Sequence, residues 1–406
     1  MIQAWKPDIL TRLYVYSLCL LVYAAADVSW LFAIPRPPLY ILVFILSVLK
    51  AASNGMCFSP KKTIWIIIWL ICNLVFIFIN KGGFISYIFR VMYFWIMTSV
   101  ILLSLDEMNY LLKILTNCFV IILVISIPAW ILYLIGVPLP YTGPHYHENG
   151  FHVYNNYFFF TTNINWGTDY NRFSSVFLEP GQMATPCVFL FHLNSRETKL
   201  FQFKNVIMIL GILLSLSLIA YGLFICSLVV NRMGEARFRV PVLILTLLVI
   251  VGVGQYFISH EDNAVNALIV SRLEYDEETV IKGYNRTNDY FDMRYDQMMQ
   301  SSDKYFGIQD ELRGNNWTYN TSGYKKYIVH NGIVGFSIVI IMMLVLLLDN
   351  KNRAALIYCI MVIVAFLVRD MLTTPLWMTC AIIGMYILGN DSNKEESPHR
   401  VIIDNS

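Results

Sequence analysis

Charged residues are scarce in this chain. Only 14% of its 406 residues are Asp, Glu, Lys or Arg, whereas soluble domains average about 25%. So few charges cannot cover a surface in water, which excludes an ordinary soluble globular protein. The formal net charge of +2 indicates no strongly charged partner, and we expect no nucleic acid partner.

Cysteine is missing from the two longest polar stretches, residues 137–176 and 259–326. The eight cysteines lie in apolar runs, apart from Cys57 in a short basic turn. This pattern excludes a disulfide framework and a Cys-based metal site, and it is typical of thiols that act as small apolar side chains. We expect no metal and no cofactor.

Apolar residues are abundant instead. They make up 57% of the chain, and the mean hydropathy is +0.58. Runs such as residues 64–79, 115–135, 240–258 and 333–348 approach the roughly 20 residues that a helix needs to cross a bilayer. A cleaved signal peptide is not expected, because further apolar runs follow the first one. The sequence predicts an all-α polytopic membrane protein in which residues 1–406 form one integral membrane domain.

The apolar runs predict about twelve transmembrane helices. They cover residues 11–33, 38–53, 63–80, 84–104, 113–136, 177–194, 200–214, 218–231, 240–258, 327–348, 354–368 and 373–389. Residues 201–230 could form one long helix or two short ones. A turn at Ser215-Leu-Ser217 places all the short basic loops on one side, so the positive-inside rule favours two helices and cytoplasmic termini.

This topology exports residues 137–176 and 259–326 as two long extracytoplasmic loops and leaves residues 391–406 as a cytoplasmic tail. The second loop is predicted to contain an amphipathic helix on the membrane surface. Its apolar face would consist of Tyr290, Met293, Gln297 and Met298.

Five ionisable residues lie within or at the ends of the predicted spans. They are Asp27, Arg90, Glu179, Arg369 and Asp370. On the predicted topology all of them lie toward the extracytoplasmic side, which favours a polar cavity that opens outward. The alternative is that Asp27–Arg90 and Arg369–Asp370 are ion pairs that only join helix ends.

The segment Arg172-Phe-Ser-Ser-Val-Phe-Leu-Glu-Pro-Gly-Gln-Met-Ala184 places an arginine and a glutamate where a polar loop meets an apolar helix. Ionisable groups at such a boundary are costly unless they are paired or used, so the segment is a candidate site. Glu179-Pro180-Gly181 has two interpretations. It could begin a helix, because Pro favours the first turn and an acidic group complements the positive helix end, or Glu179 could act in catalysis.

Three elements carry a resemblance to a known family. Arg172 to Gly181 is similar to an Arg-x-Ser-x-x-Phe-x-Glu-Pro-Gly element, and Leu214-Ser-Leu-Ser-Leu-Ile-Ala-Tyr-Gly222 is similar to a serine-containing hairpin between two spans. The third element is the large loop, in which Arg294 precedes Tyr305-Phe-Gly307. His330-Asn-Gly-Ile-Val-Gly-Phe336 follows and opens the next helix. In these elements the chain resembles the Wzy-type polymerases of O-antigen and capsular polysaccharide, which are related to the O-antigen ligases.

The resemblance implies a GT-C-like, metal-independent glycosyltransferase in the bacterial inner membrane. Its substrates would be undecaprenyl-diphosphate-linked glycans, joined into lipopolysaccharide O-antigen or capsule at the outer face. A flippase and a chain-length regulator would be its partners, together with membrane lipid.

Such a reaction needs cations for the departing diphosphate and a proton acceptor for the attacking hydroxyl. Arginine suits the first task because its planar fork binds phosphate oxygens and stays charged. The expected diphosphate- and glycan-binding residues are Arg172, Arg294, Arg286, Arg90, Tyr221 and Tyr290. Arg286, Tyr290 and Arg294 would lie on roughly one side of a helix. The proton acceptor would be Glu179 or His330.

Other interpretations remain open for some of these residues. Arg294 could balance the neighbouring charges of Asp292 and Asp296, and His330 could be structural. The loop tyrosines could stack on sugars or anchor the chain at the membrane interface.

Two other functions are considered. A ligase is disfavoured because Leu218 lies where ligases usually have an arginine in the serine hairpin. A polysaccharide transporter would show repeated halves and broken helices near the midplane, which the sequence does not suggest.

Overall fold

The computed structural model describes residues 5–31, 34–54, 60–79, 84–146, 153–163, 172–198, 200–232, 289–308, 323–349, 352–369, 371 and 374–395. Within these ranges the chain is mostly helical. The helices are α1 (Ile9–Ala25), α2 (Arg36–Asn54), α3 (Pro60–Ile79), α4 (Phe84–Ile101), α5 (Leu105–Leu134), α6 (Pro180–Glu197), α7 (Phe203–Leu214), α8 (Leu218–Arg232), α9 (Asp289–Gln300), α10 (Tyr324–Asp349), α11 (Arg353–Val368) and α12 (Pro375–Glu395). Short 3-10 turns cover Ser29–Leu31 and Ser302–Lys304.

Three described helices are long and apolar enough to cross a membrane, at residues 36–53, 105–134 and 324–348. They indicate membrane association, in agreement with the predicted class. Eleven of the predicted spans overlap described helices, and the twelfth, residues 240–258, lies outside the described ranges. The predicted break in residues 201–230 is confirmed, since α7 ends at Leu214 and α8 begins at Leu218. The number of spans and the sidedness of the loops stay predictions.

Helix α12 is the centre of the bundle. It packs against α1, α4, α5, α6, α10 and α11. Its residues from Leu376 to Leu388 are buried on every face, as expected of a helix that is apolar all round. The Tyr358 hydroxyl of α11 donates a hydrogen bond to the Cys380 carbonyl at 2.9 Å, which fixes α11 on α12.

A buried lysine joins three helices at the end of the bundle opposite to Glu179. Lys50 near the end of α2 is 9% exposed. It donates to the Thr11 hydroxyl of α1 at 2.9 Å and to the Glu107 carboxylate of α5. Glu107 also completes a capping box with Ser104 at the start of α5. Lys50 lies in an apolar run, and nothing local in the sequence indicates its partners.

A small antiparallel sheet occupies part of the first predicted loop. Its strands are β1 (Thr142–Tyr146), β2 (Val153–Asn156) and β3 (Thr161–Asn163), in the order β1-β2-β3. An all-α fold was expected, so the sheet is a correction to that expectation. Three to five residues are too few to show an alternating pattern among the Tyr, Asn and Thr of this loop.

Helix α9 confirms the helix expected in the second loop, but its apolar face is different. Phe291 and Met298 are buried and pack against Ile328 and Val329 of α10. Met298 therefore does not share a face with Tyr290, Met293 and Gln297, which are exposed. The spacing of Phe291 and Met298, seven residues apart, places both on the side that meets α10.

Helix α10 is broken at Gly332, where φ is 68° and ψ is 177°. The segment Tyr305–Gly307 lies against the break, and two backbone hydrogen bonds hold it: Ile308 N–H to the Val329 carbonyl at 2.8 Å and Val334 N–H to the Tyr305 carbonyl at 3.1 Å. A Cβ on residue 332 would lie 2.1 Å from the Tyr305 carbonyl oxygen. Glycine is required here both for the backbone angle and for the close approach.

Gly332→Ala should destabilise the protein by about 2 kcal/mol or more, because the added methyl group meets backbone and the φ angle is unfavourable for Ala. Thermal unfolding in detergent should show a midpoint lower by about 2 to 3 °C. Gly222→Ala is the matched control, because a Cβ there meets nothing within 4 Å on helix α8. Equal midpoints for the two variants would contradict the assignment of Gly332 to a tight backbone contact.

Candidate functional site

The segment from Arg172 to Glu179 runs through the protein without regular secondary structure and leads into α6. Residues 173–178 are buried, whereas Arg172 and Glu179 at its two ends are half-buried. Phe173, Val176 and Phe177 are fully covered by the main hydrophobic core. The segment is therefore an internal element of the bundle.

The backbone of this segment is held by three parts of the chain. The Ser175 carbonyl accepts from Thr161 N–H of β3 at 2.8 Å, and the Val176 carbonyl accepts from Ser29 N–H at 2.8 Å. The Phe173 N–H donates to the Leu214 carbonyl at the end of α7, at 3.3 Å. These bonds satisfy polar groups that would be costly to bury unpaired.

Side chains add a second set of bonds around Ser175, whose φ is +54°. The Ser175 and Ser126 hydroxyl oxygens are 2.6 Å apart, which ties the segment to α5. The Thr161 hydroxyl donates to the Phe177 carbonyl at 2.6 Å, and the Ser174 hydroxyl donates to the Thr161 carbonyl at 3.0 Å. The segment thus has little freedom to change its path.

Arg172 binds the turn between α7 and α8. Its Nε donates to the Ser215 carbonyl at 3.3 Å and its Nη2 to the Leu216 carbonyl at 2.8 Å. Leu216 has a φ of +47°, and the Tyr221 hydroxyl donates to the Leu213 carbonyl on the same turn. The structure therefore brings together the arginine of the first motif and the tyrosine of the serine hairpin, two predicted site residues.

Glu179 forms an ion pair with Arg369, the residue that ends α11. Arg369 Nη1 lies 2.6 Å from Glu179 Oε2, and the two side chains are 8% and 25% exposed. Glu179 occupies the N-cap position of α6 and Pro180 begins the helix, which confirms that Glu179-Pro180-Gly181 starts a helix, although the Glu179 side chain makes no cap hydrogen bond. Asp370, the other partner considered for Arg369, lies outside the described residues.

The third residue of the Glu-Pro-Gly sequence, Gly181, lies against the Arg369 side chain. A Cβ on residue 181 would lie 2.2 Å from Arg369 Nη2. The guanidinium therefore occupies the space that a side chain would need. Pro180 begins α6 at a position whose N–H would have no acceptor within the helix, so no helix hydrogen bond is lost.

The ion pair constrains what Glu179 can do chemically. If Glu179 accepted a proton, its carboxylate would lose its charge and Arg369 would be a buried cation without a counter-charge at that contact. The geometry thus favours a positioning role for Glu179 over that of a general base.

Tyr154 of β2 lies close to the same carboxylate. Burial raises the pKa of Tyr154 well above its ordinary value, and the charges of Glu179 and Asp27 raise it further. The hydroxyl therefore keeps its proton at all physiological pH values. Tyr154 is 1% exposed, so neither sugar stacking nor interfacial anchoring describes this loop tyrosine.

Asp27 pairs with Arg36 at the start of α2, and its φ is +56°. The alternative that Asp27 pairs with Arg90 is therefore wrong, because the partner of Asp27 is Arg36. Arg90 itself lies half-buried on α4. An arginine nine residues after the aspartate, across the α1–α2 link, was the signal that could have indicated the observed partner.

Arg294 and Tyr290 lie on the same exposed face of α9, as predicted. The guanidinium carbon is 5.7 Å from the ring centroid, and Nε is 3.4 Å from the Tyr290 hydroxyl oxygen. Asp292, one of the two acidic residues that could balance Arg294, forms an ion pair with Lys325 at 2.6 Å. Arg286, the third predicted member of this face, lies outside the described residues.

His330 lies in α10, two residues before the break at Gly332, and is half-buried. Its neighbour Val329 packs on α9, so the histidine and the Arg294 helix belong to one local unit. The predicted elements around Tyr305 and His330 are brought together by backbone contacts at the break.

One buried histidine was not singled out from the sequence. His192 of α6 is fully buried, with Nδ1 2.9 Å from the Ser227 hydroxyl of α8 and its ring stacked on Tyr358. A polar residue in an apolar run was the available signal. In the part of the chain that the structure describes, no three His, Cys, Asp or Glu side chains group as metal ligands.

The chain matches no protein-family model, no curated protein and no solved structure. The likeness to the polysaccharide polymerases therefore rests on the motif residues and their order.

We expect Glu179→Gln to destabilise the protein by about 3 kcal/mol, because the buried Arg369 guanidinium loses its counter-charge at this contact. Arg369→Gln should cost less, because the Glu179 side chain is half-buried. The double variant should lose less than the sum, with a coupling of about 2 kcal/mol in a double-mutant cycle of unfolding in detergent.

The Asp292–Lys325 pair provides the matched comparison, since it is more exposed, at 36% and 23%. Asp292→Asn and Lys325→Gln should couple by about 1 kcal/mol or less. Additive effects of the two substitutions at 179 and 369 would show that their ion pair does not contribute to stability.

Proposed function

We propose that this chain is a polysaccharide polymerase. It joins undecaprenyl-diphosphate-linked oligosaccharide repeat units into a long O-antigen or capsular chain at the outer face of the bacterial inner membrane. The observation that carries the proposal is the contact between Arg172 and the turn after Ser215. This contact unites the two motifs that resemble those polymerases, although they are more than 40 residues apart in sequence.

The proposed reaction forms a bond between a hydroxyl oxygen of one repeat unit and the anomeric carbon of the growing chain. The bond from that carbon to the diphosphate oxygen breaks, and its electron pair leaves with the lipid diphosphate. The hydroxyl proton passes to a base. Negative charge therefore develops on the diphosphate, and a fixed cation in a low-dielectric site stabilises it.

Arg172 is the residue proposed for this charge. Two backbone carbonyl groups of the α7–α8 turn hold its guanidinium in place. The Arg369 guanidinium is held instead by the Glu179 carboxylate. Arg294, stacked on Tyr290 on the exposed face of α9, is proposed as a second contact to the diphosphate or glycan.

His330 is the proposed proton acceptor, since a neutral imidazole accepts a proton near physiological pH. Glu179 is then a positioning residue that fixes α6 against α11 through Arg369. The break at Gly332 places His330 near the end of the first part of α10 rather than within a continuous helix.

The other features proposed for the chain follow the same family likeness. They are cytoplasmic termini, a GT-C-like arrangement of about twelve spans, no cofactor or metal, and a flippase and chain-length regulator as partners. The break in α10 at Gly332 lies near the start of the predicted span 327–348, whereas the broken helices of a transporter are expected near the midplane.

In a strain deleted for the gene, we expect surface glycan limited to single repeat units, and a full ladder on a gel when the wild-type chain is restored. Arg172→Ala should reduce polymer by about 100-fold. Arg172→Lys should also fail, because an ammonium cannot reproduce the two fork contacts with the turn. His330→Ala should likewise abolish the ladder.

Arg353→Ala is the matched control, because Arg353 is an exposed arginine at the start of α11. All variants need equal amounts in the membrane. Deletion cells that still make long chains on the lipid carrier would identify a ligase instead. Lipid-linked units trapped on the cytoplasmic side would identify a transporter.

A further inference from the structure

The turn between β2 and β3 has an unusual composition. Residues 157–160 are Tyr-Phe-Phe-Phe, and Phe158 and Phe159 at the tip are 46% and 43% exposed. Tight turns ordinarily use Gly, Asn, Asp, Ser or Pro. Phe158 has a φ of +64°, a left-handed angle that bulky residues rarely adopt. Strain of this kind is retained where the neighbouring structure enforces it and often marks function.

The turn is fixed in place by hydrogen bonds. The Tyr157 N–H donates to the Phe160 carbonyl at 2.9 Å, and the Phe158 N–H donates to Asn156 Oδ1 at 3.0 Å. The Trp30 indole N–H, from the link between α1 and α2, donates to the Phe158 carbonyl. Hydrogen bonds therefore fix the backbone that carries the two exposed phenylalanines.

The base of the turn rests on the end of helix α5. The Tyr157 and Phe160 rings stack with centroids 4.8 Å apart. Tyr133 of α5 contacts both, with centroid distances of 5.0 Å and 5.4 Å. The rings of Tyr157, Phe160 and Tyr133 thus connect the base of the turn to the last turn of α5.

This end of α5 also presents an apolar surface. The exposed side chains are Ile131, Leu132, Leu134, Ile135 and Val137. Ile135 is 69% exposed. Because α5 is one of the helices long and apolar enough to span a bilayer, lipid is the expected cover for these side chains.

We propose that Phe158 and Phe159 insert into the bilayer boundary beside the C-terminal end of α5 and contact phospholipid there. Trp30, 37% exposed next to the tip, lies in the same boundary, where aromatic side chains with one polar end are favoured. The tip extends the lipid-facing surface of α5 onto the sheet, and so it holds the sheet on the membrane. This inference requires that α5 spans the membrane, and it does not depend on polymerase activity.

Photocrosslinking of the full chain in nanodiscs of one defined phospholipid tests this inference. The photoreactive phenylalanine analogue p-benzoylphenylalanine replaces Phe158 or Phe159 in separate variants, which preserves an aromatic ring at the tip. After irradiation, intact-mass measurement should detect phospholipid adducts at both positions. Their yield should exceed that at Thr142, an exposed position on β1, by about fivefold or more.

The same analogue at Ile135 is the positive control for lipid contact. Adducts at position 135 but not at 158 or 159 would overturn the proposal, as would equal yields at 142, 158 and 159. Position 159 has no positive φ, so it gives a reading even if the analogue disturbs the strained residue 158. Adducts that appear only after a polyprenyl diphosphate is added would also overturn it, because the tip would then bind the substrate lipid.

Discussion

An irregular backbone inside an apolar bundle must find a partner for nearly every N–H and C=O group, since an unpaired group there costs several kcal/mol. Residues 172–179 impose this constraint on the rest of the structure. The edge of β3 provides a donor for Ser175, the link after α1 provides one for Val176, and the end of α7 accepts from Phe173. Hydrogen bonds to this one short segment therefore fix the relative positions of three elements: the sheet, the α1–α2 link and the α7–α8 turn.

Charge is used differently at the two ends of this segment. At Glu179 the carboxylate and the Arg369 guanidinium compensate each other, and a glycine makes room for the pair. Removing one partner of such a pair is costly even though desolvation offsets much of the attraction between the two charges. At Arg172 the acceptors are backbone carbonyls of a turn. The contact at Glu179 joins α6 to α11, whereas the contact at Arg172 holds a guanidinium beside the turn at Ser215–Ser217.

Hydropathy predicted the helices well because it is a local property. The break at Ser215–Ser217 was also predictable, from the charges that flank the short loops. The ion-pair partners were not, because Glu179 and Arg369 are 190 residues apart in sequence, and Asp370 beside Arg369 was the nearer candidate. The three short strands and the break at Gly332 depend on tertiary backbone contacts, which leave no periodic pattern in the sequence.

The Glu-Pro-Gly sequence can be explained residue by residue without catalysis. Glu179 fixes Arg369, Pro180 starts α6 where no N–H is needed, and Gly181 leaves space for the guanidinium. A likeness in these three positions therefore carries information about how α6 meets α11. Arg172 is different, because a lysine would preserve its charge but could not make the same forked contact. The proposed chemical role therefore belongs to the first residue of the motif, and the last three residues hold the segment where it meets α6 and α11.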